Sequence, residues 1–460
     1  MFRIYFVYRF NVDYLTTAFF ICQLFFSFFY FFLHILCLYP DNIIVRFCGK
    51  CIYQSVYHAE YAKRNQSTHA KQLCFTHRQH PHHHLDNPEG YGNMNPCCHK
   101  RQKKYHQYLT ADSLFNLCQA HADILTRSVS FEPVRQFQLR ENGKLRNICE
   151  ESPWQQIFEY IAKGALDPLF RAKLLPIQYG SLPGKGQIAG KRQNERILRR
   201  MLHNKTDAAK CDVKKAYPST TVECVMNLLR RDIGKNKPLL WLVEAVMANY
   251  PDGVLLIGGY LPCWLFNYVM SYVLRYILSH RKVRRGKSFK MILAICCYAD
   301  DITVYGRISN LTKVMKDTTR WAKETLGLTI KSAWDIIHFA SFDAERQQNK
   351  RRKAGSHQRT PGLDMMGYVV RRTYTIIRGR NFVKLRRAIL RAHRDLDALG
   401  YVPWWRAQRI MSQWGEIKHS DSRGFCQKYN VYKIIRAAKR SVSWHSKQLL
   451  LKEQTHGAVC

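Results

Sequence analysis

The stretch Met291 to Gly306, MILAICCYADDITVYG, limits the architecture of this chain more than any other. Seven residues rich in β-formers run into Tyr298-Ala299-Asp300-Asp301, and a second short run, Ile302 to Tyr305, leaves it. Two apolar runs around a tight acidic turn read as a β-hairpin with adjacent carboxylates at its tip. Neighbouring Asp side chains repel one another unless a cation lies between them, so a rigid turn of this kind suits a hard, oxygen-loving ion such as Mg²⁺. Asp is also common in ordinary solvated turns. Other residues have to separate the two readings.

One of them is Asp212, in Ala209-Lys210-Cys211-Asp212-Val213. A short strand ends there, and Thr220 with Glu223 three residues on reads as a capping box that opens the next helix. A carboxylate at a strand end can face the hairpin tip. Three carboxylates on two neighbouring strands can hold two Mg²⁺ ions about 3.5 to 4 Å apart, the arrangement used for in-line phosphoryl transfer.

Charge points the same way. Lys and Arg total 73 against 33 acids, a formal net charge of +40 in 460 residues. Such an excess costs self-repulsion on folding and calls for an anionic partner, most often nucleic acid. At 46% hydrophobic and 13% aromatic residues the chain is nevertheless a folding one. The 16 cysteines are scattered, and Cys211, Cys296 and Cys297 lie in apolar runs beside the carboxylates, which fits a reducing cytoplasm.

Before the globular pattern come two unusual segments. From Tyr14 to Pro40 there is no Lys, Arg, Asp or Glu, and eight Phe crowd together. That length spans a bilayer as a helix, so residues 1–40 read as a transmembrane segment, with membrane contact through 14–40 and the large basic domain on the cytoplasmic side. A start codon further downstream would remove it. Residues 41–104 hold Cys48-Gly-Lys-Cys51, Cys74-Phe-Thr-His77, a run of histidines and Cys97-Cys98-His99. The spacing could close a zinc site, but the sparse apolar residues favour a poorly ordered basic linker.

Past Tyr105 the helical and strand patterns are regular. Thr110 to Arg127 and Trp154 to Leu169 read as amphipathic helices, the second closing with Pro168 and the basic turn Arg171 to Lys173. Asn142-Gly143 predicts a hairpin turn between strands that carry Arg140 and Arg146. Tyr179 to Gly186 is a glycine-rich loop without P-loop spacing, entering a basic helix from Lys191 to Arg200. Arg281 to Lys290 and Glu345 to Arg359 are basic, turn-rich insertions. Beyond Asn381, helices carry Arg386, Arg387, Arg391 and Arg394 opposite Leu385, Ile389, Leu390 and Leu396, with Trp404, Trp405 and Trp414 as apolar anchors.

The ordered series DVKKAY, a glycine-bearing turn into a helix, YADD, LGLTIK and a GY strand resembles the bacterial reverse transcriptases, those of retrons, diversity-generating elements and group II introns. The similarity covers roughly Leu109 to Leu450. It implies an α+β right-hand polymerase, with fingers and a palm bearing a small antiparallel sheet over 105–375 and a helical thumb and tail over 376–460. The implied activity is RNA-directed DNA synthesis with two Mg²⁺ ions, or Mn²⁺ in their place, on an RNA template with a DNA or RNA primer and dNTPs. A bound non-coding RNA is a further implied partner.

Residue by residue, the resemblance makes Asp212 and Asp300 metal ligands, with Asp301 the accompanying carboxylate. Tyr217 matches the aromatic gate against a ribose 2′-hydroxyl, Arg140 and Arg146 the triphosphate-holding pair, and Lys331 the lysine that protonates departing pyrophosphate. Gly258 and Asn267 match the substrate-side turn and helix, and Gly367 and Tyr368 the strand that grips the primer end. One motif departs: Pro262 and Cys263 stand where Ser and Gln are expected, and Cys cannot supply the amide that meets the nascent base pair. An RNA-binding scaffold or defence protein with an impaired polymerase site is therefore the alternative, and it predicts salt-sensitive RNA affinity without dNTP incorporation. A phosphodiesterase using the same carboxylates predicts cleavage without a primer.

Overall fold

The computed structural model describes residues 113–141, 144–200, 207–331, 334–353 and 358–457. The membrane segment, the Cys/His linker and the Asn142-Gly143 tip expected from the sequence lie outside the described residues. Within them the fold is α+β, with twelve α-helices and four small sheets. No described helix is long and apolar enough to cross a membrane.

The chain opens with helix α1 (Ser113–Thr126), the hairpin β1 (Arg135–Glu141) and β2 (Lys144–Glu150), and helix α2 (Pro153–Lys173). Ser152 caps α2 by accepting from the Gln155 amide at 3.2 Å, and Pro153 occupies its first turn, where a missing N–H costs nothing. Pro168 lies inside the helix, and the basic turn Arg171 to Lys173 expected to close it is its last helical turn. The helix runs on to Lys173 because the turn beyond the proline buries Phe170, which stacks on Trp264 at 5.5 Å. Burying a side chain of that size is worth about 1.5–3 kcal/mol, comparable to the cost of an interior proline.

Helix α3 (Gln187–Arg200) leads to strand β3 (Asp207–Asp212), then α4 (Val222–Ile233), α5 (Lys237–Ala248) and α6 (Tyr260–Ser279). The cap of α4 is one residue later than the sequence reading: Thr221 accepts from the Cys224 amide at 3.1 Å. Thr220 is unavailable because its hydroxyl donates to the Ala216 carbonyl at 2.8 Å.

A separate two-stranded hairpin, β4 (Arg281–Arg284) and β5 (Lys287–Lys290), precedes β6 (Ile292–Tyr298) and β7 (Asp301–Gly306). Helix α7 (Ile308–Leu326), strand β8 (Asp335–His338) and helix α8 (Phe342–Lys353) follow. The central sheet is antiparallel, in the order β6-β7-β3-β8.

Strand alternation assigns the two faces of this sheet. Ala209, Cys211, Ile302 and Val304 point into the main core with Val243, Leu265, Phe266 and Leu311. Ala208 and Tyr305 point the other way, into a second core under α3 and a three-stranded sheet of β9 (Leu363–Met365), β10 (Tyr368–Val370) and β11 (Thr375–Ile377). By the same period of two, Asp212 and Asp301 lie on this second face, at its open end. The helices α9 (Gly379–Leu399), α10 (Trp404–Lys418), α11 (Arg423–Lys428) and α12 (Val431–Gly457) enclose their own core around Leu385, Ile389, Ile410 and Ile434. Trp414 packs on that core, whereas Trp404 and Trp405 are 36% and 44% exposed and do not act as buried anchors. Both sit in the first turn of α10, ahead of its buried stripe of Ala407, Ile410 and Ile417.

Candidate active site

The β6–β7 hairpin turns through two residues, Ala299 and Asp300, between the paired Tyr298 and Asp301. Ala299 has φ +52°, a left-handed conformation that costs a residue with a Cβ about 1–2 kcal/mol. Asp300 is thereby lifted to the tip. On the other side of β7, Asp212 is the direct cross-strand partner of Asp301. Directly opposed residues share a face, with Cβ atoms about 4.5–5.5 Å apart. The Val213 amide donates to the Asp300 carbonyl at 3.3 Å, fastening the tip to the end of β3.

Burial, then the charge of Asp301 and next that of Asp212, pushes Asp300 up from 3.8 to about 6, with Arg146 pulling it back. Asp301 is raised as well, chiefly by burial, against the opposing pull of Lys210. These three carboxylates therefore feel one another. Asp212 Oδ1 is buried and meets no hydrogen-bond partner. Its Oδ2 is held by Lys331 Nζ at 2.5 Å. Lys331 arrives there because residues 329–331 pair with the end of β3: the Lys331 amide donates to the Asp212 carbonyl at 3.0 Å and the Lys214 amide to that of Thr329 at 2.8 Å.

An orphaned carboxylate oxygen beside two further carboxylates suits a hard divalent cation, since every donor is oxygen and the charges repel without one. As the side chains stand, no three Asp, Glu, His or Cys among the described residues converge as a finished ligand set. The donors fit the ion; Lys331 holds one of their oxygens.

The remaining residues predicted for the site divide into two groups. Tyr217 lies near the carboxylates, its ring stacked on Phe266 at 4.9 Å and its hydroxyl donating to Cys263 Sγ at 3.5 Å. The Cys263 thiol in turn donates to the Gly259 carbonyl at 3.2 Å. Cysteine at this position thus links Tyr217 to the start of α6. Pro262 sits in the first turn of α6, where its missing N–H is tolerated.

Asn267 faces inward. It is 1% exposed, and its amide donates to the carbonyls of Gly180 at 3.0 Å and Cys263 at 2.9 Å. Its contribution is to hold the Gly180 loop against α6. Gly258 serves the β1–β2 hairpin: at φ +123° its missing Cβ would stand 2.8 Å from the Cys149 carbonyl. The Cys149 amide donates to the Ile257 carbonyl at 3.1 Å, so β2 is stitched to this turn.

The two arginines part company. Leu139 pairs with Arg146 and Arg140 with Leu145, which puts Arg140 and Arg146 on opposite faces of the β1–β2 hairpin. Arg146 acts on Asp300; Arg140 is turned away from it. On the other side, Gly367 forms the β9–β10 turn with Met366, and the Arg378 amide donates to its carbonyl at 2.8 Å. Tyr368 is 2% exposed and Met366 6%, both in the second core, so Gly367 is the partly accessible residue of this turn.

Two groups of site residues escaped the sequence reading. Lys210 lies on the same face as Asp212 and donates to the Asp364 carbonyl at 2.8 Å, while Arg378 bonds the Asp364 carboxylate at 2.5 Å; both cations reach Asp301. For Lys210 the signal was present, since it precedes Asp212 by two in a strand. The second group is a buried pair of carboxyls, Glu151 and Glu159. Glu159 accepts from the Tyr250 hydroxyl at 2.8 Å and the amides of Tyr260 and Leu261 at 3.1 and 3.0 Å, capping α6 in place of its glycine N-cap. Burial and the Glu159 charge push Glu151 up to about 8. A glutamate inside the apolar stripe Phe158, Ala162, Leu166 was the available clue.

No protein-family model matches the chain, and no curated protein is detectably similar to it.

Proposed function

We propose that this chain is an RNA-directed DNA polymerase of the right-hand type, using the central sheet as palm, the β1–β2 hairpin as part of the fingers and α9–α12 as thumb. The observation that carries the reading is the direct opposition of Asp212 and Asp301 across β3 and β7 with Asp300 at the turn between β6 and β7. Two divalent ions, Mg²⁺ or Mn²⁺, would be held by Asp212, Asp300 and Asp301, and would supply activation of the primer 3′-hydroxyl and charge relief at the leaving pyrophosphate.

The chain's own residues do the rest. Arg146, on the face toward Asp300, holds the triphosphate of the incoming dNTP through charge-assisted hydrogen bonds. Tyr217, fixed by Phe266 and Cys263, presents its ring where a ribose 2′-hydroxyl would sit and so favours deoxynucleotides. Lys331 neutralises Asp212 before substrate binds, and in turnover gives its Nζ proton to the departing pyrophosphate oxygen. Gly367, at the β9–β10 turn, borders the primer end. RNA template and primer are the polyanions that the +40 charge calls for.

Primer extension by the full chain on an RNA template tests the reading. DNA synthesis dependent on template, primer and divalent cation is expected; salt-sensitive RNA binding without any incorporation would instead support a scaffold with an impaired site. Two variants probe the roles. Tyr217→Ala is expected to lower discrimination against ribonucleotides by roughly 10- to 100-fold, and unchanged discrimination would remove the gate. Arg146→Ala is expected to raise the KM for dNTP by about 10- to 100-fold, the worth of a hydrogen bond to a charged group, whereas Arg140→Ala changes it less than about 3-fold. Equal effects of the two would contradict the opposite faces assigned to them.

A further inference from the structure

The β4–β5 hairpin is the most basic exposed element of the described fold. Arg281, Lys282, Arg284, Arg285, Lys287 and Lys290 lie within ten residues that include no acid. Every residue of both strands is exposed, and the hairpin forms its own sheet with no third strand. Its register sets Arg281 opposite Lys290 and Arg284 opposite Lys287. Like charges directly opposed across an antiparallel pair destabilise it. None of the six cations has a carboxylate partner among the described residues. Val283 and Phe289 stand among them at 73% and 46% exposure.

Yet the element is firmly seated. The Met291 amide donates to the His280 carbonyl at 3.1 Å across its base, Lys282 Nζ donates to Asn310 Oδ1 at 3.3 Å, and Arg281 Nε to Ser288 Oγ at 2.8 Å. Repulsive pairs kept on a seated ribbon suit a polyanion as counter-partner, and exposed apolar side chains between cations suit unpaired bases, which stack on aromatic rings while phosphates meet the charges. The hairpin enters β6 at Ile292, and the acidic turn follows Tyr298 at the other end of the same strand. Seven residues at about 3.3 Å each place the two roughly 20 Å apart.

We propose that the β4–β5 hairpin docks single-stranded RNA at a site separate from the carboxylates. The choice of RNA over other polyanions rests on the polymerase reading above. Through this contact the chain holds a segment of template, or of an RNA bound to it, outside the reaction centre.

The test uses the full chain and two variants: the fourfold Arg284→Gln, Arg285→Gln, Lys287→Gln, Lys290→Gln, and the single Phe289→Ala. Binding of a labelled oligo(U) is followed by anisotropy through a salt titration. Losing four phosphate contacts lowers the slope of log K against log salt by about 3, and affinity at low salt falls by about 100-fold or more. Phe289→Ala costs about 10-fold. Thermal melting of the fourfold variant is expected at or above the wild-type temperature, because the repulsion within the hairpin is removed. Unchanged slope and affinity in both variants would overturn the proposal, as would losses seen only with duplex DNA or only with phosphatidylserine vesicles. A chain that extends primers while the variants bind RNA normally defeats this surface alone. One that binds RNA through the hairpin but never incorporates dNTPs defeats the polymerase reading alone.

Discussion

Asp300→Asn should lower primer extension on an RNA template by roughly 10³-fold or more while leaving RNA affinity within about twofold, and it should make the protein more stable. The first part follows from geometry on the proposed polymerase reading: Asp300 is the tip carboxylate, and an anionic side chain is not a group that would bind the phosphates of RNA. The second follows from charge. Burial and the neighbouring Asp301 push Asp300 from 3.8 to about 6, so the folded state binds a proton more tightly than the unfolded chain. Stability owed to that proton is complete below pH 3.8, declines as the pH rises through about 6, and is gone above it. Asparagine carries no charge, so the variant escapes the penalty. Its gain over wild type is about 1–3 kcal/mol above pH 7 and vanishes near pH 4. Melting curves at the two pH values read the second effect without any activity assay. Extension within tenfold of wild type would remove Asp300 from the reaction, and a gain independent of pH would remove the charge argument.

Gly180→Ala should damage the same centre from behind. A Cβ at Gly180 would lie 2.4 Å from the Ala299 amide nitrogen and 2.9 Å from its Cα, both backbone atoms of the acidic turn. The loop cannot retreat easily. The Tyr179 amide donates to the Cys297 carbonyl at 2.8 Å, the Cys297 amide to that of Ile177 at 2.9 Å, and Asn267 holds the Gly180 carbonyl. Overpacking of this kind costs about 1–3 kcal/mol, and a displacement of about 1 Å at the reacting groups costs about 100-fold in rate. We expect both, with RNA affinity preserved. Gly415→Ala is the control: it lies exposed in α10 with open space around its missing Cβ, so stability is expected to hold or rise by up to about 1 kcal/mol. If Gly180→Ala loses activity only in proportion to the fraction unfolded, the turn has not moved and the contact carries no function.

Much of this centre was legible before any coordinates, and the reason is local. An apolar run, two turn residues and a second apolar run can hardly be anything but a hairpin, and Asp212 closes a strand because Val213 to Ser219 breaks the alternation. The separation of Arg140 and Arg146 is legible too: a hairpin turn expected at Asn142-Gly143 already sets Arg140 opposite Leu145, the register observed. Pro168 shows the opposite limit. Its local effect is to end a helix, and the burial of Phe170 against Trp264 overrides it. The resemblance sets Asn267 toward substrate, and nothing in its neighbourhood along the chain announces the Gly180 carbonyl, 87 residues away.

Alternation with a period of two was enough to send Ala209, Cys211, Ile302 and Val304 to one face and the carboxylates to the other, because it depends only on neighbours in the chain. Which strand lies beside β3 was not contained in that pattern. The pairing of Asp212 with Asp301, the seat of Lys331 on Asp212 and the close approach of Gly180 to Ala299 all join segments about 90 to 120 residues apart. Such contacts cost loop-closure entropy that no local preference returns; the burial of the core beneath the sheet offsets it, and that burial exists only once the helices and strands have packed.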